Sequence, residues 1–331
     1  MVWGCPNFDA FALIVSFSST KQIKNTKPMM KGMSQKLYEL SVMKVFCMMI
    51  KKSGIPIGSF YQFLRFNGEF KVTVADNTFF YLIHNGGIIE NEIFWKGLFQ
   101  TWEKDIGWLW KELCVCSEVI VDVGANKGIY SLVAKALNPT STVYAFEPSM
   151  KTIEQLKINF KRNEFGIITE QIALSDSEGK KIFYDVPHKN QSSASLSSKK
   201  LKDNDLYKGE IFEYEVQAKK MSTYIEEKDI TQIDLIKIDV ELHEAEVIDG
   251  LGDFLSKFKP VVVLEILRDE VAAKLHKIID LDNYIMFGLK NQNTVVRCES
   301  FYPKKEDGMM NYIFFHKDKE AFMRLHTSLF K

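Results

Sequence analysis

The spacing of apolar residues changes character along the chain. Leu37, Leu40, Met43, Cys47 and Ile50 recur at intervals of three and four, which predicts a helix over Leu37 to Ile50. Phe70 to Val74 and Thr78 to His84 read instead as two strands around the turn Ala75-Asp-Asn-Thr. Glu90 to Trp110 is crowded with Phe94, Trp95, Phe99, Trp102, Trp108 and Trp110, and is expected to form a helical pair that packs against the next domain. Residues 1–35 show no sustained period and are expected to be loose.

From Glu118 a strand–helix rhythm begins. Val119-Ile-Val-Asp-Val is a short apolar run, as expected of a strand covered on both faces. Ile129, Leu132, Val133, Ala136 and Leu137 mark one face of the next helix, which Asn138-Pro139 stops. Thr142 to Phe146 is the next strand, and Ser149 can cap a helix that turns Ile153, Leu156 and Phe160 inward. Gly166 to Ile172 supplies a third strand. Alternation pauses from Asp176 to about Met221, where Lys181-Ile-Phe-Tyr and Phe212-Glu-Tyr-Glu-Val suggest a β-rich insertion around Ser192-Ser-Ala-Ser. It resumes with strands at Ile233 to Asp239, Pro260 to Glu265 and Asn311 to His316, and helices at Glu244 to Leu251 and Asp269 to Ile279. Such repetition predicts an α/β fold, doubly wound around a mostly parallel sheet with helices on both faces.

Composition narrows the partners. Basic and acidic residues number 43 each, so no overall field recruits a polyanion, and nucleic acid is not the expected partner. The five cysteines are scattered; Cys114 and Cys116 lack a second pair at metal-ligand spacing, so they read as ordinary thiols in a reducing cytoplasm. Phe8 to Phe17 is largely apolar, but Asp9 interrupts it, and no basic leader or small-residue cleavage site accompanies it. No run approaches the ~18 apolar residues of a spanning helix.

Two constellations carry chemistry. In Asp122-Val-Gly-Ala-Asn-Lys-Gly-Ile-Tyr-Ser, a glycine turn between a buried strand and a helix lets a ligand approach the backbone and meet helix N–H groups. Gly124 and Gly128 are four apart, which is not the G-x-G-x-x-G spacing of dinucleotide enzymes. Glu147 ends the following strand, where such folds bind a ribose hydroxyl pair; it would equally suit a helix N-terminus. The second is Lys237-Ile-Asp-Val-Glu-Leu-His-Glu, which gathers Asp239, Glu241, His243 and Glu244 at the sheet's carboxyl edge, beyond what helix capping alone requires. Glu265 ends the next strand at the same edge, as a further contact for substrate or a solvated strand end.

Asp122-Val-Gly-Ala-Asn-Lys-Gly, Ala145-Phe-Glu-Pro, Ala173-Leu-Ser-Asp and Ile236-Lys-Ile-Asp-Val-Glu-Leu-His-Glu, in this order, resemble the signature of the FkbM-type methyltransferases over roughly Ser117 to Lys317. Asn85-Gly-Gly-Ile-Ile-Glu-Asn-Glu-Ile-Phe-Trp resembles the lead-in of some members. The resemblance implies a Rossmann-like class I methyltransferase fold over residues 117–320; the apolar pattern places an α+β extension over 36–116 ahead of it, and the region before about Phe60 is not covered by the resemblance. It implies methyl transfer from S-adenosyl-L-methionine to a hydroxyl of a small-molecule or glycan acceptor such as a sugar, a glycolipid precursor or a natural product. Carried over by position, Gly124, Asn126 and Gly128 would line the methionine end of the cofactor, within a loop that includes Asp122, Ala125, Tyr130 and Ser131. Glu147 with Pro148 would hold the ribose, and Ala173, Leu174 and Asp176 would flank the adenine. Asp239 would lie near the sulfonium, with Glu241, His243, Glu244 and Glu265 on the acceptor side. Leu242 stands where the family usually has glycine; if that position needs a positive φ, leucine strains the loop by ~1–2 kcal/mol.

Direct displacement at the methyl would draw most of its rate from positioning. A general base would assist, with His243 the first choice and Asp239 or Glu241 the alternatives, unless His243 only caps its helix. Asp239, Glu241 and Glu265 are hard oxygen donors, but their spacing demands no metal. Leu242 keeps open a scaffold protein that has lost turnover. A nicotinamide oxidoreductase is disfavoured by the glycine spacing, and glycosyl transfer would have to use Asp203-Asn204-Asp205, which lies in the polar insertion. Lys199, Lys200 and Lys202 there suit an anionic carrier or a solvated loop, and the aromatic band suits core packing or sugar stacking. Self-association is left open.

Overall fold

The computed structural model describes residues 41–185, 194–197, 211–291, 294–302, 309–320 and 323. The expectations for residues 1–35, Lys199, Lys200, Lys202 and Asp203-Asn204-Asp205 lie outside them. The chain divides into two compact units, residues 1–68 and 69–331. In the first, helix α1 (Ser41–Ser53) buries Cys47, and a 3₁₀ turn follows at Gly58–Phe63.

Strand β1 (Asn67–Ala75) runs into the second unit and pairs with β2 (Thr78–Asn85). Alternating burial along both strands fits a hairpin with one covered face. Helices α2 (Ile88–Lys96) and α3 (Gly107–Val115) are the expected aromatic pair. The main sheet opens with β3 (Val119–Val123), followed by α4 (Ile129–Leu137), β4 (Thr142–Phe146), α5 (Met150–Asn163) and the short β5 (Ile168–Glu170). Ser149 caps α5 as its sequence promised, its Oγ accepting from the Thr152 amide at 3.3 Å. From the same helix, Asn163 and Asn159 accept the Tyr81 and Ile83 amides of β2 at 2.7 and 3.1 Å, which closes an edge otherwise open to pairing.

The insertion is β-rich, as expected. Strands β6 (Ala173–Leu174), β7 (Gly179–Asp185) and β8 (Phe212–Lys219) form a separate three-stranded sheet, β7 antiparallel to β8. Helix α6 (Met221–Glu227) leads back to β9 (Leu235–Ile238), α7 (Glu244–Leu251), α8 (Phe254–Phe258), β10 (Val261–Glu265) and α9 (Asp269–Ile278). The chain then adds β11 (Tyr284–Asn291), β12 (Thr294–Cys298) and β13 (Asn311–His316).

The main sheet has the order β12-β11-β13-β10-β9-β3-β4-β5. Strands β10, β9, β3, β4 and β5 are parallel neighbours, while β13 inserts antiparallel between β10 and β11. This is a mostly parallel, Rossmann-like sheet. The central strands β9 and β10 are apolar because both faces are covered, and Val262, Val263, Leu235 and Ile238 are wholly buried. The chain leaves β3 in one direction through β4 and β5, and returns on its other side through β9 and β10. The order therefore reverses between β3 and β9, and the crevice at their carboxyl ends is where such sheets bind ligands. No helix among the described residues is long and apolar enough to cross a membrane.

Candidate active site

A cavity of about 230 Å³ opens at that reversal point. Its floor comes from strand ends: Val123 and Gly124 after β3, Phe146 to Pro148 after β4, Asp239 to Glu241 after β9, and Glu265 at the end of β10. Gly124 has φ +76°, and a Cβ there would lie 2.0 Å from the Asp239 carbonyl oxygen, so only glycine lets the two loops meet. Gly124 and Ala125 donate their amides to the Phe146 carbonyl at 2.9 and 3.0 Å, fixing the turn against the end of β4.

Glu147 is braced on both oxygens. Oε2 accepts the Asn126 amide at 2.8 Å and Oε1 the Ser149 amide at 2.9 Å. Burial pushes its carboxyl up to about 7, against the opposing pull of those two amides. A carboxylate oxygen has two lone-pair sites, so each still has capacity for a ligand hydroxyl. Beside it, Ile172, Ala173, Leu174 and Phe183 make an apolar wall, and Ala194 and Leu196 bring the insertion to the rim.

The loop after β9 is held by three elements. Glu244 is buried and accepts the Val240 and Leu242 amides at 3.3 and 3.1 Å; burial holds its carboxyl at about 7. Ser195 of the insertion donates to the Glu241 carbonyl. His243 precedes α7, with Nε2 2.9 Å from Ser175 Oγ and Nδ1 3.7 Å from Glu246. Burial lowers the His243 pKa, so the ring is neutral near pH 7.

The backbone is strained around this cavity. Of nine non-glycine residues with positive φ among those described, Glu103 (+51°), Asn126 (+52°) and Glu241 (+60°) line it, and Leu242 (+80°) is next in the chain. Such conformations cost on the order of 1–3 kcal/mol each and concentrate where function demands them. Leu242 thus adopts the positive φ that glycine would take freely. Its side chain is 9% exposed within the main core cluster, where burial offsets the strain.

Gly124, Asn126, Glu147, Pro148, Ala173, Leu174, Asp239, Glu241, His243 and Glu265 thus come together at one cavity. Asp122, Ala125, Gly128, Tyr130, Ser131, Asp176 and Glu244 do not reach its wall. Asp122 is wholly buried and accepts from the Ser131 amide and hydroxyl at 3.1 and 2.6 Å, tying β3 to α4. Gly128 is small because Phe160 of α5 packs against it, 2.3 Å from where a Cβ would stand. Tyr130 is buried among Phe99, Trp102 and Trp110. Asp176 pairs with Lys181 at 3.0 Å, while Ser175, beside it, bonds His243.

Sequence reasoning missed Glu103, Ile89, Thr152 and Phe183 at the wall, whereas Trp102 belongs to the aromatic band considered for sugar stacking. The Asn85-Gly-Gly segment signalled one of them: a Cβ at Gly87 would lie 2.1 Å from Glu90 Oε2, and Glu90 forms a buried 2.6 Å ion pair with Lys127 of the glycine loop. That contact brings the start of α2, with Ile89, to the cavity.

The cavity wall carries Glu103, Glu147, Asp239, Glu241 and Glu265 and, among the described residues, no lysine or arginine. A pyrophosphate would meet repulsion there, whereas a cationic nucleoside would not. The family pattern decides between them: the Methyltransferase FkbM domain matches residues 122–293, from the end of β3 to the β11–β12 hairpin. The chain belongs to the FkbM methyltransferase domain family. The chain is 30% identical over 156 residues to the 31-O-demethyl-FK506 methyltransferase FkbM of Streptomyces tacrolimicus, covering 41% of this chain and 60% of that protein. It is 26% identical over 178 residues to a hexuronic acid methyltransferase of Haloferax volcanii, covering 52% and 66%. A crystal structure of a methyltransferase FkbM from Methylobacillus flagellatus superimposes with a TM-score of 0.37 at 15% identity, over 60% of this chain and 44% of that one. The chain thus spans less than two thirds of the length of the first two relatives.

Proposed function

We propose that this FkbM-family chain is an S-adenosyl-L-methionine-dependent O-methyltransferase acting on a hydroxyl of a sugar, glycolipid precursor or natural product. The observation that carries this reading is the pairing of a glycine loop, closed by Gly124 against Asp239, with a doubly braced Glu147 at the next strand end. The cofactor supplies an electrophilic methyl group on a sulfonium. The residues present suit it: Glu147 accepts from ribose hydroxyls, Ile172, Ala173, Leu174 and Phe183 cover an adenine face, and Gly124 and Asn126 border the amino-acid end. The acidic wall favours a sulfonium cation over a phosphate.

The protein's remaining work is to hold the acceptor and take its proton. Glu241, His243 and Glu265 line the cavity, and this reading assigns them to the acceptor. His243 is kept neutral by burial and is therefore able to accept a proton near pH 7. Ser175 Oγ lies 2.9 Å from Nε2 and 3.0 Å from Asp176 Oδ1. Its hydroxyl can turn from the ring to the carboxylate and leave Nε2 open. The test is transfer of labelled methyl groups from S-adenosylmethionine to panels of neutral, amino and uronic sugars and polyketide alcohols. An acceptor whose methylation falls at least a hundredfold in His243→Asn, with S-adenosylhomocysteine binding intact, supports both activity and base; equal turnover by that variant removes His243 as the base.

A further inference from the structure

One carboxylate at the cavity wall, Glu103, comes from outside the glycine loop and the loop after β9. Glu103 lies in the turn between α2 and α3, before the family-matched segment, and reaches the cavity beside Trp102. Tyr130, clasped by Phe99, Trp102 and Trp110, donates its hydroxyl to Glu103 Oε2 at 2.9 Å. Lys237, buried on β9, lies 3.0 Å from Asp239 Oδ2 and 4.3 Å from the Tyr130 ring centre. Asp122 stands on β3 directly beside Lys237 in the sheet register.

The charges do not balance. Among the described residues, three carboxylates, Glu103, Asp239 and Asp122, act on one buried ammonium, Lys237. Ionised together they place net negative charge around the buried Asp122 and Lys237, which is unfavourable unless protons or a cation supply the difference. Burial first, and then the charge of Asp239, hold the Glu103 carboxyl above its usual range; Lys237 and the Tyr130 hydroxyl pull the other way, and Asp105 adds to the rise. Burial raises Asp122 as well.

We infer that Glu103 and Asp239 form a seat for the positively charged part of the bound ligand, and that Glu103 gives up its proton to solvent when that cation arrives. This rests on the proposed cofactor, because S-adenosylmethionine carries a sulfonium and an α-ammonium, either of which suits the seat. The exchange is balanced: a neutral carboxylic acid becomes a carboxylate, its proton passes to the buffer, and the ligand's charge replaces it. Glu103 is then a binding residue supplied by the segment ahead of the family domain, and the four aromatic rings at Phe99, Trp102, Trp110 and Tyr130 serve to position it.

The experiment is calorimetric titration of the full chain with S-adenosylmethionine at about pH 6, in two buffers of different ionisation enthalpy. Wild type is expected to release a measurable fraction of a proton per ligand bound. Glu103→Gln keeps an acceptor for Tyr130; it should release less proton than wild type, with the share of Glu147 remaining, and bind at least tenfold more weakly, without losing thermal stability. S-adenosylhomocysteine, which lacks the sulfonium, separates the two sources: a smaller release places the sulfonium at the seat, and an equal release places the ammonium there. Buffer-independent binding by wild type would overturn the inference, as would Glu103→Gln binding within twofold of wild type. Failure of wild type to bind either compound would instead remove the proposed cofactor itself.

Discussion

Leu242 offers the sharpest test of the loop that carries Glu241 and His243. Its φ of +80° disfavours any side chain, yet the side chain it bears is 9% exposed and packed in the core. Truncating a buried leucine to alanine costs about 2–5 kcal/mol, and this position, bordering the cavity, belongs near the lower end. Alanine keeps its Cβ and so keeps the backbone strain of about 1–2 kcal/mol. Glycine loses the same packing but relieves the strain, against about 0.5–1 kcal/mol for its greater freedom in the unfolded chain. The expected order of stability is therefore wild type, then Leu242→Gly, then Leu242→Ala, with the glycine variant about 0.5–1 kcal/mol above alanine. That inverts the usual ranking of glycine below alanine. Urea unfolding followed by tryptophan fluorescence would resolve it, with Tm values separated by about 1–3 °C as a second readout. An alanine variant as stable as the glycine variant, or more so, would refute the reasoning, because the strain would then be absent.

Burial holds Glu147 and Glu244 at about 7, above the ordinary glutamate value. The folded chain then keeps protons that the unfolded chain has released, so the stability these groups contribute is present below about pH 4.5 and is lost as pH rises through about 7. Urea midpoints should fall between about pH 5 and pH 8, and Glu244→Gln should flatten that fall; an unchanged slope would contradict the assignment. Gly124→Ala puts a methyl 2.0 Å from the Asp239 carbonyl, so it should abolish S-adenosylhomocysteine binding and destabilise the fold by at least about 2 kcal/mol; a variant that binds like wild type would show that the two loops can part. Glu90→Ala leaves Lys127 buried without its partner and should cost about 3–5 kcal/mol, whereas Glu90→Leu with Lys127→Met should recover most of that loss in thermal unfolding; equal losses would deny the pair its role.

The parallel half of the sheet was legible because its strands are short apolar runs closed by glycine, asparagine or acidic residues. Val119–Val123 and Thr142–Phe146 fall where the pattern put them, as do the antiparallel strand Asn311–His316 and the helix Glu244–Leu251. The hairpin of β11 and β12 escaped because Met286-Phe-Gly-Leu-Lys lacks strict alternation: Tyr284, Ile285, Met286 and Phe287 are all buried, so β11 is covered on both faces. Helix α6 escaped because seven residues are too few to show a period. In the cavity, the residues within the glycine loop and the loop after β9 were readable from their motifs. Glu103 was not, because an acid beside Lys104 and Asp105 in an aromatic turn reads as solvated surface charge; the packing of Tyr130 against that turn brings it to the site. Asp122 and Gly128 are parts of the same motif but serve the fold, holding Ser131 and admitting Phe160.

Binding of a methionine-derived nucleoside by Glu147 and the glycine loop is measured most directly by calorimetric titration with S-adenosylhomocysteine, with NAD as control and Glu147→Ala alongside. Micromolar binding of S-adenosylhomocysteine is expected, with no heat from NAD. Glu147→Ala should lose at least thirtyfold in affinity, corresponding to about 2 kcal/mol. Binding of NAD, or S-adenosylhomocysteine affinity untouched by the substitution in a folded variant, would contradict this role for Glu147.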